Sequence, residues 1–285
     1  GITEIYAMIR EYNSRIYERI STDEDFLMVS VGFYEGRGSY GPKYQEPGWE
    51  EQKDRLTELA GEICRRFSVI TRPRSIDMKK AHLGLAGEKG DVHLQLRVLL
   101  SQLVFFHSYH DLRIIAVYDE KYEEEFAWMR WLPHVHIPSI NVLGMVHSGR
   151  SRDVVLGGIT QILKERAAHL DKRKREFMPR YLFVIDEPSL VLNHGLMEYL
   201  PMEGNKLGIS VIYTSDCYSN LPEYIGTVLL IDNPAEGTLL LEERKYRKQK
   251  VTFQDDQGVD FEWLARDLSV LQHEQGMVNR IPDTV

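Results

Sequence analysis

The sequence predicts an α/β fold built on a mostly parallel sheet with helices on both faces. Short, mostly apolar runs at 112–118, 181–185 and 209–214 have the length and β-branched content of strands buried on both sides. Segments of helical periodicity stand between them, and glycine or acidic residues punctuate their ends. Hydrophobic residues make up 43% and charged residues 27%, which suits a chain that buries a core and excludes a disordered or low-complexity one.

The elements follow in order. Ile2, Ile5, Ile9, Tyr12, Ile16 and Ile20 recur every three or four residues and predict one helix over 2–20. A strand at 26–33 places Leu27, Val29, Val31 and Phe33 on one face. Residues 34–48 hold four glycines and two prolines and read as the least regular stretch. A helix over 49–67 and a short strand at 67–71 follow. From residue 80 strand and helix alternate: strand 81–86, helix 91–106, strand 112–118, helical segment 123–132, helix 153–174, strand 181–185, helix 191–203, and strands 209–214 and 227–231. The end reads as a hairpin over 237–253 and a helix over 261–271. These elements divide into 1–79, a helix, strand and helix packing on the core, and 80–285, the α/β unit. The sequence opens at Gly1 inside a predicted helix, which leads to the expectation of a piece of a longer chain.

The strongest local signal is Leu182-Phe183-Val184-Ile185-Asp186-Glu187. A buried parallel strand that ends in Asp-Glu is the Walker B pattern of P-loop ATPases. The Asp can hold Mg²⁺ and the Glu can polarise an attacking water. The partner pattern, G-x-x-x-x-G-K-[ST], belongs between a strand and a helix upstream. Gly87-Glu88-Lys89-Gly90-Asp91-Val92-His93-Leu94 stands there, with Val92, His93 and Leu94 in place of glycine, lysine and the hydroxyl residue. Val92 resists close backbone approach, His93 is a poor phosphate cation, and Leu94 has no oxygen for Mg²⁺. The helix N-terminus still attracts an anion, but Glu88 and Asp91 repel one. Lys89 can reach inward and replace part of the lost charge. The expected fold is therefore RecA-like, with a degenerate nucleotide site of Gly87, Lys89, Gly90, His93, Asp186 and Glu187. Thr214 and Ser215, at the end of the neighbouring strand, can sense a γ-phosphate or make ordinary turn contacts. No cofactor is expected. Mg-ATP, with Asp186 on the metal and Glu187 on water, is the alternative.

Other candidates are blander. His134 and His136, flanked by Pro133 and Pro138, read as an extended loop with no carboxylate or cysteine cluster nearby, His107 and His110 can share a helix end, and neither pair reads as a metal site. Cys64 reads as a small core residue, and two cysteines are too few for a disulfide framework. The basic run Arg244, Lys245, Arg247, Lys248 and Lys250 and the acidic run Asp119, Glu120, Glu123, Glu124 and Glu125 read as solvated faces or docking surfaces. A net charge of −8 argues against a nucleic-acid partner. No apolar stretch reaches the roughly 18–20 residues that cross a bilayer.

Phe126-Ala127-Trp128-Met129-Arg130-Trp131-Leu132-Pro133-His134, the segment 181–188 (YLFVIDEP), Glu198-Tyr199-Leu200 and the ending Asn279-Arg280-Ile281-Pro282-Asp283-Thr284-Val285 resemble motifs of the EssC/EccC-type (YukB-like) membrane ATPases of type VII secretion. These proteins carry FtsK/SpoIIIE-type ATPase domains in tandem behind transmembrane helices. The resemblance implies the membrane-proximal cytosolic domain, which precedes the first FtsK-type domain and is degenerate in the EssC branch. It further implies a location at the cytoplasmic face of the membrane and a role in coupling the transmembrane stalk to the ATPase domains during export of small WXG100-type proteins. The partners implied are the neighbouring ATPase domains and transmembrane helices of the same polypeptide, other membrane subunits of the secretion system, and a homo-hexameric assembly. A weakly active or regulatory ATP-binding domain of the same motor is the alternative function. The helix over 2–20 fits either a descending stalk or an ordinary core helix.

Overall fold

The computed structural model describes residues 1–37, 55–170, 176–201, 206–241, 247–254 and 258–271. Along the chain lie α1 (Ile2–Arg10), β1 (Met28–Arg37), α2 (Arg55–Ser68), β2 (Val69–Asp77), β3 (Leu83–Gly87), α3 (Lys89–Phe106), β4 (Leu112–Val117) and α4 (Glu123–Phe126). Then come β5 (His136–Ile137), β6 (Val142–Leu143), β7 (Met145–Val146), α5 (Gly149–Ala168), β8 (Arg180–Ile185), β9 (Ile209–Ser215), β10 (Thr227–Asn233), β11 (Glu236–Leu241), β12 (Arg247–Thr252) and α6 (Phe261–Ser269).

One ten-stranded sheet runs β2-β1-β12-β11-β10-β3-β9-β8-β4-β7. From β10 to β7 every pairing is parallel, and from β10 back to β2 every pairing is antiparallel. The parallel half is buried on both faces, and its strand residues alternate between two apolar clusters. Ile114, Ala116, Leu182, Val184 and Ile212 join Val92, Leu96, Leu99 and Leu103 of α3 on one face. Ile115, Val117, Phe183, Ile185, Val211 and Tyr213 join Val155, Leu156, Ile159 and Leu163 of α5 on the other. This alternation makes the continuous apolar runs of the sequence necessary: every strand residue meets a core. The expected α/β architecture is present, and β9 separates β3 from β8 as in a RecA-type sheet. The antiparallel half joins β11 and β12, the expected terminal hairpin, to β10 on one side and β1 on the other.

Four predicted helical segments differ. The helix over 2–20 ends at Arg10. Tyr12 takes a left-handed φ of 49°, and the Asn13 side chain accepts the Arg15 N–H, a local contact that competes with helix. Tyr17 and Arg19 then donate backbone N–H bonds to the Phe105 and Phe106 carbonyls, so 13–19 lies along the end of α3. Ile2, Ile5 and Ile9 are buried in the core. Over the described part of the helix predicted at 191–203 there is a 3₁₀ turn, Gly195–Glu198, in place of an α-helix, because Asn193 is left-handed and His194 caps Leu196. The segment 123–132 splits into α4 and a 3₁₀ turn, Ala127–Trp131. The helix placed at 153–174 begins at Gly149, where Ser148 and Ser151 form a capping box. Residues 38–54, the basic cluster 172–175, Arg244 and Lys245, the ending 279–285 and the side chain of Cys64 lie outside the described residues.

Of the two histidine pairs, His107 and His134 are core residues, whereas His136 is exposed and His110 half-buried. His107 Nδ1 donates to the Leu103 carbonyl at 2.8 Å, and its Nε2 accepts the Leu27 N–H at 2.9 Å, which requires the neutral ring. His134 Nε2 donates to the His107 carbonyl at 2.7 Å. Burial pushes His107 down to about 4 and His134 down to about 3. Between those values and the ordinary 6.5 only the unfolded chain takes up these protons, so folding weakens as pH falls. We expect each histidine to remove about 1.4 kcal/mol of stability per pH unit between roughly pH 6 and 4. Urea unfolding across that range checks this; an unchanged slope in His107→Asn would contradict the assignment.

Candidate functional site

Parallel pairing brings three strand ends to one level. Ala86 on β3 pairs with Ser215 on β9, and Tyr213 on β9 pairs with Ile185 on β8. Asp186 therefore emerges beside Thr214, with the turn at Gly87 one strand further along. Gly87 carries φ +158°, and a Cβ there would meet the Ile231 carbonyl oxygen at 2.6 Å, so the turn into α3 needs glycine. Such strand ends are where open α/β sheets hold ligands.

The Asp186 carboxylate is already engaged by the chain itself. Its Oδ1 accepts Lys89 Nζ at 2.9 Å, faces His93 Nε2 at 2.9 Å and accepts the Thr214 hydroxyl. The Asp186 side chain is 0% exposed and His93 2%, whereas Lys89 keeps 34%. His93 Nδ1 meets Glu125 of α4, so the imidazole bridges two carboxylates. Tyr122 and Phe126 pack edge-on against that ring at 4.9 and 5.4 Å. Phe126 in turn stacks on Tyr118 at 4.4 Å, and the Tyr118 hydroxyl donates to Glu123 at 2.6 Å. Burial pushes the Asp186 carboxyl up; the hydrogen bond and charge of His93, with the bonds from Thr214 and Lys89, outweigh it and hold the group below its ordinary 3.8. Oδ2 has no hydrogen-bond partner among the described residues.

The structure thus gathers Lys89, His93, Asp186 and Thr214 into one network and leaves the other predicted residues outside it. Glu187 turns away and caps the next 3₁₀ turn by accepting the Ser189 N–H at 3.1 Å. Ser215 makes turn contacts, donating to the Cys217 carbonyl at 2.9 Å. Gly90 contributes its amide, which donates to the Glu88 carboxylate at 2.9 Å. Sequence reasoning missed Glu125, because its place in an acidic run made it look like a solvated charge. It also treated Glu88 as a distant repulsive charge rather than a cap.

These residues do not fit Mg-ATP. The Asp186 oxygen nearest the loop is taken by two nitrogen groups and a hydroxyl, Leu94 offers no metal oxygen, and the amides that open α3 are bonded to Glu88. Among the described residues no group of three or more His, Cys, Asp or Glu is arranged to hold a metal.

Removing the acceptor strands the buried His93 and the half-buried Lys89. Asp186→Ala is expected to cost about 3 kcal/mol, read by urea unfolding at neutral pH. In the parent this contribution is complete above about pH 4 and is lost as pH falls through the lowered Asp186 value. A variant as stable as the parent would remove the network from any structural role.

No protein-family model matches the chain. The ESX secretion system protein EccC of Geobacillus thermodenitrificans is 31% identical over 284 residues, 99% of this chain and 19% of that protein. The type VII secretion system protein EssC of Staphylococcus aureus is 32% identical over 290 residues, 100% of this chain and 20% of that protein. Among solved structures, the cytoplasmic domain of the Thermomonospora curvata type VII secretion ATPase EccC superposes with a TM-score of 0.58 at 15% identity, covering 91% of this chain and 33% of that one. ATPases 2 and 3 of EssC from G. thermodenitrificans give 0.57 at 12% identity, covering 89% and 50%. Those two likenesses establish the fold alone. Over its whole length, then, the chain is homologous to a segment, about one fifth, of the EssC/EccC-type type VII secretion proteins.

Proposed function

We propose that this segment is a RecA-like module retained for its surfaces: a non-hydrolysing domain of a type VII secretion motor. One observation carries the reading. The acidic residue that would hold magnesium in an ATPase is engaged inside the fold by Lys89 and His93. Val92, His93 and Leu94 replace the loop residues that would hold phosphate and metal, and Glu187 is bonded to the Ser189 amide. In this reading residues 80–285 form the degenerate ATPase-like domain and 1–79 its stalk-side addition. The module sits at the cytoplasmic face of the membrane and couples transmembrane helices to the ATPase domains of the same polypeptide. Other membrane subunits and a homo-hexameric ring complete the assembly, whose cargo is small WXG100-type proteins. Among the described residues no helix is long and apolar enough to cross a membrane, so anchoring comes from elsewhere in the polypeptide. Nucleic acid has no place in this scheme, given the charge of −8.

One observation favours a second reading, a regulatory or weak ATPase. Lys89 is more exposed than His93, the other nitrogen group on Asp186, and reaches it from the loop itself, so it can swing to a phosphate.

Calorimetry of the purified chain with Mg-ATP separates the two. The first reading expects no saturable binding up to about millimolar, and a micromolar dissociation constant, about −8 kcal/mol, overturns it. The second expects phosphate release that Glu187→Gln abolishes; equal release from parent and variant rules that turnover out as this chain's own.

A further inference from the structure

A cavity of about 140 Å³ lies between α1, β1 and α3. Ile5 and Met8 of α1, Val98 and Phe106 of α3, and Phe253 after β12 give it apolar walls. Glu4, Arg15 and Gln254, all exposed, line it toward solvent. Arg15 is paired with Glu18 at 3.0 Å and lies over the Phe106 ring at 5.4 Å. Two glutamines of α3, two helical turns apart on one face, reach the same cavity. Gln102 is fully engaged: its Oε1 accepts the Ser30 N–H and its Nε2 donates to the Ser30 carbonyl, both at 2.9 Å. Gln95 is 6% exposed and lines the cavity, yet its amide makes no hydrogen bond among the described residues. Helical residues turn by about 100° each, so Gln95 leaves α3 on the side roughly opposite His93 and the Asp186 network.

We propose that this cavity binds a small neutral molecule with an aromatic-sized apolar body and one amide-type edge, which Gln95 holds by donating from Nε2 and accepting at Oε1. An apolar cavity of roughly 150 Å³ admits a benzene-sized guest. Ligand sites combine such walls with a few converging polar groups. A buried amide left unpaired is costly, and a guest that carries a donor and an acceptor side by side satisfies both of its groups at once. A plain hydrocarbon fills the same space and leaves the amide unpaired, so the site discriminates between the two. The walls come from α1 and β1 on one side and from α3 and Phe253 on the other. A bound molecule would therefore stiffen the junction between the N-terminal elements and the sheet. The proposal is independent of how the loop at 87–94 is read, and Mg-ATP binding by the parent would leave it untouched.

The test titrates ¹⁵N-labelled parent, Gln95→Leu and Val98→Phe with benzamide and, separately, with toluene, after circular dichroism has confirmed folding. The parent should bind benzamide saturably. The Gln95 side-chain NH₂ resonances, assigned by their absence from Gln95→Leu, should shift along that titration. Gln95→Leu should bind benzamide at least about tenfold more weakly than the parent, and toluene no more weakly. Val98→Phe, which fills the cavity, should bind neither. No saturable benzamide binding by the parent, equal benzamide affinity in parent and Gln95→Leu, or undiminished binding by Val98→Phe overturns the proposal. Gln95→Leu exchanges an unpaired amide for an apolar group of similar size and so keeps the fold. If Val98→Phe is overpacked and does not fold, the comparison of parent with Gln95→Leu decides alone.

Discussion

A carboxylate delivered to the end of a buried strand must be neutralised by something, and the architecture around Asp186 follows from what neutralises it. Taking an ion out of water costs several kcal/mol unless charge and hydrogen bonds replace the lost hydration. In an ATPase a magnesium ion supplies that compensation. Here Lys89, His93 and Thr214 converge on one oxygen, the first two from the start of α3 and the third from strand β9. Charge-assisted bonds of this kind contribute roughly 1.5–3 kcal/mol each. The strand end, the helix start and the neighbouring strand are thereby tied by side chains as well as by the backbone pairing of the two strands.

The consequence reaches beyond the strand ends. His93 is pinned on its far side by Glu125, so α4 is drawn over the network. The turn that follows α4 carries Trp128, which packs against Phe261 of α6, and Trp131, whose ring lies under Arg266 of the same helix at 4.3 Å. Trp263 of α6 then meets Tyr6 of α1 at 4.2 Å. The Trp-rich motif is thus a packing bridge between the former nucleotide loop and the two terminal helices. Shape at the loop and shape at α1 and α6 are set by one connected body of side chains.

Much of this was legible in the residues. The runs at 112–118, 181–185 and 209–214 had to be doubly buried strands, and they lie side by side in the parallel half. The Asp186 pattern, the altered loop at 87–94 and the inward reach of Lys89 were all visible from spacing and residue chemistry. The partners across the site were not. Glu125 looks like any member of an acidic run until the fold sets it against His93, a contact 32 residues away in sequence. Beyond the terminal hairpin the antiparallel half also escaped, because β1 and β12 pair across more than 200 residues and neither sequence names its partner. Helix ends failed where a single polar residue, Asn13 or Asn193, diverted the backbone against a continuing apolar rhythm.

The altered loop residues make sense as a group rather than as separate losses. Val92 is fully buried and His93 nearly so, both on the face of α3 that meets the sheet. A glycine at 92 would leave a hole in a core cluster, at a cost comparable to other large-to-small changes. A lysine at 93 could not bridge Asp186 and Glu125 as a planar imidazole with two nitrogens does. Once the first turn of α3 packs this way, phosphate contacts at those positions have no geometry to return to. Restoring them one at a time would unmake packing before it made a binding site.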